Sequence, residues 1–186
     1  MSGTVLIVYA HPAHQTSRVN RRMVDAVRDI AGVTVRDLYE LYPDFHIKLK
    51  AEQDLLASHD HIVFQHPFFW YSCPSLLKEY IDLTLSYGWA YGPQGTALHG
   101  KTLLSAISTG GAAEAYQRSG HNFYTVNELL QPFDQTARLC GMTYLEPFIL
   151  NGALQTNDHG ITLHCEKYRQ CILDLSTGKI GEVYKR

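Results

Sequence analysis

The feature that most constrains the fold of this chain is a regular alternation of short β-branched runs with amphipathic stretches of helical period. Strands buried in a parallel sheet appear as continuous apolar runs, and helices that cover a sheet repeat an apolar residue every three or four positions. The pattern predicts strands at 4–9, 33–38, 60–65, 101–109 and 144–150. It predicts the main helices at 16–30, 51–58, 74–86, 124–140 and 159–173.

This order of elements is typical of a parallel sheet with crossover helices on both faces. Five strands in 186 residues predict one domain, 1–186, with a flavodoxin-like doubly wound α/β sheet in the order 2-1-3-4-5. Right-handed crossovers then bring the loops after strands one, three and four to the carboxyl edge of the sheet. Open α/β sheets bind ligands at that edge, and the unusual residues of the chain lie in these three loops.

The composition argues against several classes of protein. The formal net charge is −2 with acidic and basic residues interspersed, so neither nucleic acid nor an anionic membrane surface is an expected partner. The first residues lack the pattern of a signal peptide, and no apolar run approaches the ~20 residues that span a bilayer. The four cysteines form no CxxC pair, which favours reduced thiols in a cytoplasmic protein.

Two histidine pairs have spacings that a metal site can use. They are His11 with His14 and His59 with His61. Neither pair has a nearby cysteine or acidic partner that would complete a recognisable metal site. The sequence therefore predicts that the protein holds no metal.

The loop after the first predicted strand leads directly into a helix. Thr16 and Ser17 can cap that helix, and the free N–H groups of its first turn can bind an anion. His11 and Arg18 can add charge or hydrogen-bond donors for a phosphate group. The loop contains neither GxGxxG nor GxxxxGK[ST], which argues against the Rossmann and P-loop motifs. For this loop alone, a capped helix with a surface arginine is the simpler interpretation.

Four consecutive aromatic residues, Phe68 to Tyr71, follow the third predicted strand. Aromatic side chains at the carboxyl end of a buried strand are poorly placed for the core and well placed for a planar ligand. An isoalloxazine ring suits them, because it offers a π surface and hydrogen-bonding groups along one edge. The alternative is that these rings fold back over the core or form a dimer interface.

Paired glycines at positions 110 and 111 follow the fourth predicted strand. Glycine lets the backbone approach a ligand closely, although a flexible turn is the alternative for this segment alone. Tyr116 and His121 come next, where each can donate a hydrogen bond or carry a proton. Isolated residues of these types are more often structural. The convergence of three such loops favours a ligand site.

Several segments between about residues 5 and 148 carry a family resemblance. They are Tyr9-Ala10-His11-Pro12, Asp37-Leu38-Tyr39, Tyr42-Pro43-Asp44-Phe45, Gln65-His66-Pro67, Trp70-Tyr71-Ser72, 74–78, Gly88-Trp89-Ala90-Tyr91-Gly92, Leu98-His99-Gly100-Lys101, Thr109-Gly110-Gly111 and Cys140-Gly141. Together they resemble the flavodoxin-fold NAD(P)H:quinone reductases, the family of DT-diaphorase. The resemblance is strongest to short bacterial members that are ancillary subunits of glutathione-gated potassium-efflux (Kef) antiporters. The last forty residues carry no match.

The resemblance implies an FMN cofactor, since FAD is carried by the longer members, and NAD(P)H as the electron donor. It implies that the first loop binds the FMN phosphate, the aromatic loop contacts the flavin ring and the glycine loop closes over its pyrimidine edge. The implied cofactor-binding residues are His11, Ser17, Arg18, Val19, Asn20, Phe68, Phe69, Trp70, Tyr71, Ser108, Thr109, Gly110 and Gly111.

The resemblance also implies catalytic roles for Tyr116 and His121, which would stabilise charge on the reduced flavin. The histidine stands one residue out of register with the longer animal enzymes. Family dimers place an aromatic residue of the partner over the flavin, and Tyr91 matches that position. A homodimer is therefore expected, with substrate contacts from Trp70, Tyr91 and His121.

The implied reaction is a two-electron, ping-pong hydride transfer from NAD(P)H through flavin N5 to a quinone. One alternative is a regulatory ancillary subunit that activates a glutathione-gated potassium-efflux antiporter. That role can coexist with the enzyme activity, and it would hold the protein peripherally at the inner membrane through the antiporter. Another alternative is an electron-transfer flavodoxin, for which a net charge of −2 is weakly acidic.

Overall fold

The computed structural model of the protein describes residues 3–179 and contains one parallel sheet in the order β2-β1-β3-β4-β5, with β6 also paired to β4. The predicted strand order and the flavodoxin-like architecture are confirmed. The strands are β1 (Val5–Tyr9), β2 (Val33–Asp37), β3 (His61–Pro67), β4 (Thr102–Ser108), β5 (Thr143–Tyr144) and β6 (Phe148–Leu150).

The last predicted strand is divided in the structure, so the continuous strand expected at 144–150 is wrong. β5 pairs with the start of β4, and β6 pairs with its end. Between them, the Leu145 N–H still donates to the Leu103 carbonyl (2.8 Å), but Pro147 has no N–H to donate. The proline therefore interrupts the hydrogen-bond ladder without removing the segment from the sheet edge.

Helices cover both faces of the sheet, as expected, and none within residues 3–179 is long and apolar enough to cross a membrane. Alternate residues of β1 point to opposite faces. Leu6 and Val8 pack in the same core as Leu76 of α4, while Ile7 lies in the second core with Ile161 of α7. The helices are α1 (Asn20–Asp25), α2 (Leu38–Leu41), α3 (Leu49–Ser58), α4 (Ser75–Thr84), α5 (Val126–Leu129), α6 (Gln131–Leu139) and α7 (Asp158–Ser176).

Two predicted helices are wrong in extent. The helix expected at 16–30 is reduced to α1, which is preceded by a short 3-10 turn at His14–Thr16 and followed by turns. The helix expected at 124–140 is divided into α5 and α6, with Pro132 in the first turn of α6, where a missing N–H costs little. The first difference concerns the ends of a helix and the second a break inside one, and the order of the predicted elements is unchanged.

An ion pair between the partly buried Arg36 and the fully buried Glu52 ties β2 to α3. The Glu52 carboxylate is fully buried and accepts hydrogen bonds from the Arg36 guanidinium and the Tyr42 hydroxyl. Burial opposes the charge of Arg36, but its bond to the Glu52 carboxylate raises the pKa of the guanidinium overall. The charged groups therefore depend on each other for stabilisation, since neither is fully hydrated.

Glu52→Gln should lower the free energy of unfolding by about 2 kcal/mol, because the substitution keeps the shape of the side chain and removes a charge-assisted hydrogen bond. Chemical denaturation of both proteins measures the difference. Asp54→Asn is the control, since it breaks an exposed ion pair with Lys50 on the same helix and should barely change stability. Equal losses in the two variants would contradict a special role for the buried pair.

Candidate functional site

Two adjoining cavities open at the carboxyl edge of the sheet. Cavity A, of about 400 Å³, lies between the first loop and the ends of β3, β4 and β6, and cavity B, of about 370 Å³, lies between the aromatic and glycine loops. Phe68 and Gly110 line both of them. Cavity A is otherwise lined by His11, Thr16, Ser17, Arg18, Val19, Asn20, Pro67, Phe69, Ser108, Thr109, Ala153 and Leu154, and cavity B by Trp70, Tyr71, Gly111, Ala115, Tyr116, His121 and Asn122.

The structure brings together almost all the residues that the sequence predicts for the site. Each predicted cofactor-binding residue lines one of the two cavities, and so do Tyr116 and His121. Tyr91 lines neither cavity. It lies in the segment between α4 and β4, where its ring packs edge-on against Tyr87 with centroids 5.6 Å apart. The roles of these residues remain predictions.

The first loop presents backbone donors rather than side-chain caps. The expected capping by Thr16 and Ser17 is wrong, because α1 begins at Asn20 and its N-cap is Val19. The Ser17 hydroxyl only accepts a long bond from the Arg21 N–H (3.4 Å). Within residues 3–179, no acceptor is found for the N–H groups of residues 18, 19 and 20. These groups therefore give cavity A a set of donors suited to an anion.

His11 contributes a hydrogen-bond donor to cavity A rather than a charge. Burial, with a smaller effect of His14, lowers the pKa of its imidazole, so the ring is neutral near pH 7. The Ala13 N–H donates to His11 Nδ1 (3.1 Å). In a neutral ring whose Nδ1 accepts, the proton lies on Nε2, which can donate to a ligand.

Arg18 lines cavity A, but its guanidinium is engaged on the other side of the loop. It donates to the Thr156 carbonyl (3.2 Å) and to the Asp158 carboxylate (3.0 Å). These contacts tie the first loop to the start of α7. Arg18 is therefore partly neutralised before any anion binds.

The aromatic loop buries one of its rings and leaves another, that of Trp70, almost fully exposed. Phe68 is buried and its N–H donates to the Ser108 carbonyl (2.8 Å), as the core-packing alternative expects. Trp70 and Tyr71 instead have left-handed backbone conformations, with φ of 49° and 60°, and the Trp70 side chain is 93% exposed. An exposed tryptophan at the mouth of a cavity is a suitable surface for a planar ring.

The glycine loop leaves room that a side chain would fill. A Cβ atom placed on Gly110 would meet only a terminal carbon of Leu154, at 3.8 Å, so the space beside this residue is open. A Cβ on Gly111 would lie 3.2 Å from the ring of Tyr116. Glycine at 110 therefore keeps cavity A open, and glycine at 111 lets Tyr116 pack against the loop.

Tyr116 and His121 both line cavity B, and a short turn separates them in the sequence. Burial raises the pKa of the Tyr116 phenol, with Tyr71 adding to the effect, so the hydroxyl stays protonated and can donate. The turn is attached to the aromatic loop by a bond from the Tyr71 hydroxyl to Asn122 Oδ1 (3.1 Å). Both of these residues line cavity B, so the bond joins its two walls.

The sequence interpretation missed a fourth segment, the loop after β6. Ala153 and Leu154 line cavity A, and the Ala153 N–H donates to the Thr109 carbonyl (2.8 Å). The Gly152 N–H similarly donates to the Gly111 carbonyl (2.8 Å). The signal was present in the sequence, because Asn151-Gly152 follows a predicted strand and ends at the same edge of the sheet.

The histidine pairs with metal-like spacing make other contacts. His14 Nδ1 lies 2.9 Å from the Tyr9 hydroxyl, and His59 Nε2 lies 2.9 Å from the Thr34 hydroxyl. Across the described part of the chain, residues 3–179, no three potential metal ligands cluster together.

A family model described as a flavodoxin-like fold matches residues 3–172. The chain belongs to this family. General stress protein 14 of Bacillus subtilis (strain 168) is 49% identical over 148 residues, which are 80% of this chain and 85% of that protein. The match therefore spans most of the length of that relative.

Three solved structures have the same flavodoxin-like architecture. General stress protein 14 of Treponema denticola, solved in complex with FMN, is 37% identical with a TM-score of 0.88, covering 92% of this chain and 99% of that one. An NADPH-quinone reductase of P. pentosaceus is 30% identical with a TM-score of 0.82, covering 90% and 96%. A chain described as a thermophilic tryptophan halogenase of Streptomycin violaceusniger is 45% identical with a TM-score of 0.88, covering 90% and 98%.

His66, on β3 beneath the site, should make the flavodoxin-like domain sensitive to acid. Burial lowers the pKa of this imidazole from 6.5 to about 4, and its ring stacks on Phe133. As the pH falls, His66 is therefore protonated at a higher pH in the unfolded chain than in the folded protein. The free energy of unfolding should fall by about 3 kcal/mol between pH 6.5 and pH 4.

His66→Phe removes this titration while keeping a ring against Phe133. Urea unfolding at several pH values should show a shallower loss of stability below pH 6.5 for the variant than for the wild type. Parallel curves for the two proteins would contradict the assignment, because all other titrating groups are common to both.

Proposed function

We propose that this protein is an FMN-dependent NAD(P)H:quinone oxidoreductase. The observation that carries the proposal is the pair of joined cavities at the carboxyl edge, one lined by backbone donors and the other by exposed aromatic rings. A phosphate-bearing chain suits the first cavity, and a planar ring suits the second. Relatives described as FMN-bound and as an NADPH-quinone reductase support the same interpretation.

The residues present fit FMN by two independent features. Gly110 borders open space that any side chain would fill, and the buried amide oxygen of Asn20 has no hydrogen-bond partner within residues 3–179. The N–H groups of residues 18–20 and His11 Nε2 would hold the phosphate end. Phe69, Trp70 and Tyr71 would contact the ring, with the glycine loop along its edge. FAD remains the less favoured cofactor.

Bound FMN would supply the two-electron hydride chemistry that no amino-acid side chain provides. The protein would supply orientation and hydrogen bonds. The raised pKa keeps the Tyr116 phenol protonated, so that it can donate to an oxygen or nitrogen that gains negative charge in cavity B. His121 would donate or accept a proton at the same place. Trp70 would offer its exposed face to NAD(P)H and then to a quinone, both of which are flat.

The names of similar proteins do not agree on one reaction, since halogenase, stress-protein and reductase descriptions all occur. The choice of reaction must therefore come from the site. One open aromatic cavity beside two potential proton donors suits alternate binding of two planar substrates. This arrangement favours a ping-pong exchange between NAD(P)H and a quinone.

Purified protein should be yellow and should oxidise NAD(P)H only when a quinone is present. Tyr116→Phe and His121→Gln should each lower kcat/KM by roughly 100-fold while the FMN content stays unchanged, because the first removes a hydroxyl donor, the second removes a group that can exchange a proton, and neither residue lines cavity A. Tyr124→Phe is the control, since this exposed tyrosine lines neither cavity. Colourless protein without FMN affinity would refute the proposal.

The protein would act as a homodimer in which Tyr91 of one chain completes the site of the other. The position of Tyr91 supports this arrangement, because its ring lines neither cavity of its own chain. An exposed tryptophan beside cavity B also leaves a surface that an aromatic residue from a second chain could cover.

Mixed dimers test the shared site. Tyr91→Ala and His121→Gln should each be weakly active alone, and mixing equal amounts of the two refolded variants should give roughly a quarter of wild-type activity, since random pairing makes about half of the dimers mixed. Recovery follows because one site of each mixed dimer would have His121 and the partner's intact tyrosine. If mixed dimers form without recovery, Tyr91 does not act across the interface.

Activation of a potassium-efflux antiporter remains the alternative function. The relatives described above carry stress-protein and reductase descriptions, and they neither support nor test a role in potassium efflux. An antiporter that is still stimulated by the doubly substituted Trp70→Ala, His121→Gln protein would establish regulation independent of reductase activity.

A further inference from the structure

A chain of buried polar groups runs from the C-terminal helix to cavity A. The Tyr168 hydroxyl on α7 donates to Gln65 Oε1 (3.0 Å), and Gln65 Nε2 donates to the backbone carbonyl of Asn20 (2.8 Å). Asn20 Nδ2 then donates to the Ser108 hydroxyl oxygen (2.7 Å). All four side chains are more than nine-tenths buried, so water does not compete for these hydrogen bonds.

One atom at the cavity end of this chain is unpaired. Asn20 lines cavity A, and its Oδ1 atom is buried without a hydrogen-bond partner among the residues that the structure describes, 3–179. A buried amide oxygen without a donor costs free energy, and a ligand that supplies a donor recovers it. The matching group is a hydroxyl or an N–H, because a phosphate dianion can only accept hydrogen bonds.

Tyr168 determines how the rest of the chain is arranged. The Gln65 amide satisfies both neighbours in one orientation only, with its oxygen toward the Tyr168 hydroxyl and its nitrogen toward the Asn20 carbonyl. The backbone at the start of α1 is thereby fixed to β3, and the Asn20 side chain is fixed to the end of β4 through Ser108. Removal of the phenol oxygen would free the Gln65 amide to rotate and would loosen Asn20.

We propose that Tyr168 and Gln65 are positioning residues for the flavin. They hold Asn20 so that its Oδ1 accepts a hydrogen bond from a hydroxyl of the ribityl chain. The inference rests on the proposed function and deepens it, because it includes the C-terminal helix in the cofactor site. The two kinds of group then have different roles. The Asn20 side chain contacts the hydroxyl chain, and the neighbouring backbone N–H groups bind the phosphate.

Flavin titration of the apoprotein tests the proposal through the quenching of FMN fluorescence. Tyr168→Phe should raise the Kd for FMN on the order of tenfold, because Asn20 is no longer held. Tyr144→Phe is the matched control, since it also removes a buried hydrogen bond donated by a tyrosine hydroxyl, to Ser105 Oγ (2.8 Å), and neither Tyr144 nor Ser105 lines cavity A. It should lower thermal stability and leave the Kd within about twofold.

A second pair of measurements locates the effect. In an Asn20→Ala background, which itself should weaken binding about tenfold, Tyr168→Phe should add less than about a twofold change. Riboflavin, which has the hydroxyl chain without the phosphate, should lose affinity by the same factor as FMN in each variant. If Tyr168→Phe does not fold, the affinities of Asn20→Ala for FMN and for riboflavin still test the contact between Asn20 and the hydroxyl chain.

The outcomes separate this inference from the proposed function. Wild-type protein that binds no flavin overturns both. Wild-type protein that binds FMN, with Tyr168→Phe equal to Tyr144→Phe, overturns the positioning role alone. A loss confined to FMN and absent with riboflavin places Asn20 at the phosphate and overturns the hydroxyl contact.

Discussion

The parallel pairing of β3 on both of its edges is the constraint on which the site depends. β3 pairs with β1 over five positions and with β4 over seven, and every residue of β3 is buried. Because all three strands run in one direction, their following loops leave the sheet side by side. The register also decides which face each residue joins, and a shift of one residue would turn Gln65 away from α7 and Tyr168.

Two residues of the aromatic loop have strained backbone conformations, and these conformations set the direction of their side chains. A left-handed conformation costs about 1–2 kcal/mol for a residue other than glycine, and Trp70 and Tyr71 both adopt it. The bond between Phe68 N–H and Ser108 anchors the loop before the strained pair, and a turn from Ser72 N–H to the Phe69 carbonyl (2.9 Å) closes it behind them. Strain held in this way at the edge of a cavity is characteristic of functional sites.

The sequence predicted burial better than it predicted helix ends. Within the helix predicted at 16–30, the apolar residues Val19, Met23, Val27 and Ile30 recur at helical spacing, and all four are buried in one core. Only residues 20–25 are helical, and the turns that follow α1 still place Val27 and Ile30 in the same core. Apolar periodicity reports which face a residue occupies, and a sequence of turns can satisfy that requirement as well as a helix.

The same distinction explains which parts of the site could be found in advance. Residues directly after a strand, such as Trp70 and Gly110, were predictable because topology alone brings strand ends together. Tyr168 lies 103 positions from Gln65 in the sequence, and no local pattern distinguishes it from the other apolar-face residues of α7. Its hydroxyl becomes important only in the folded protein, where it meets the amide of Gln65 on β3. Polar groups that support a site from the core are therefore visible only in the folded structure, where an unpaired atom such as Asn20 Oδ1 marks the end of the chain they form.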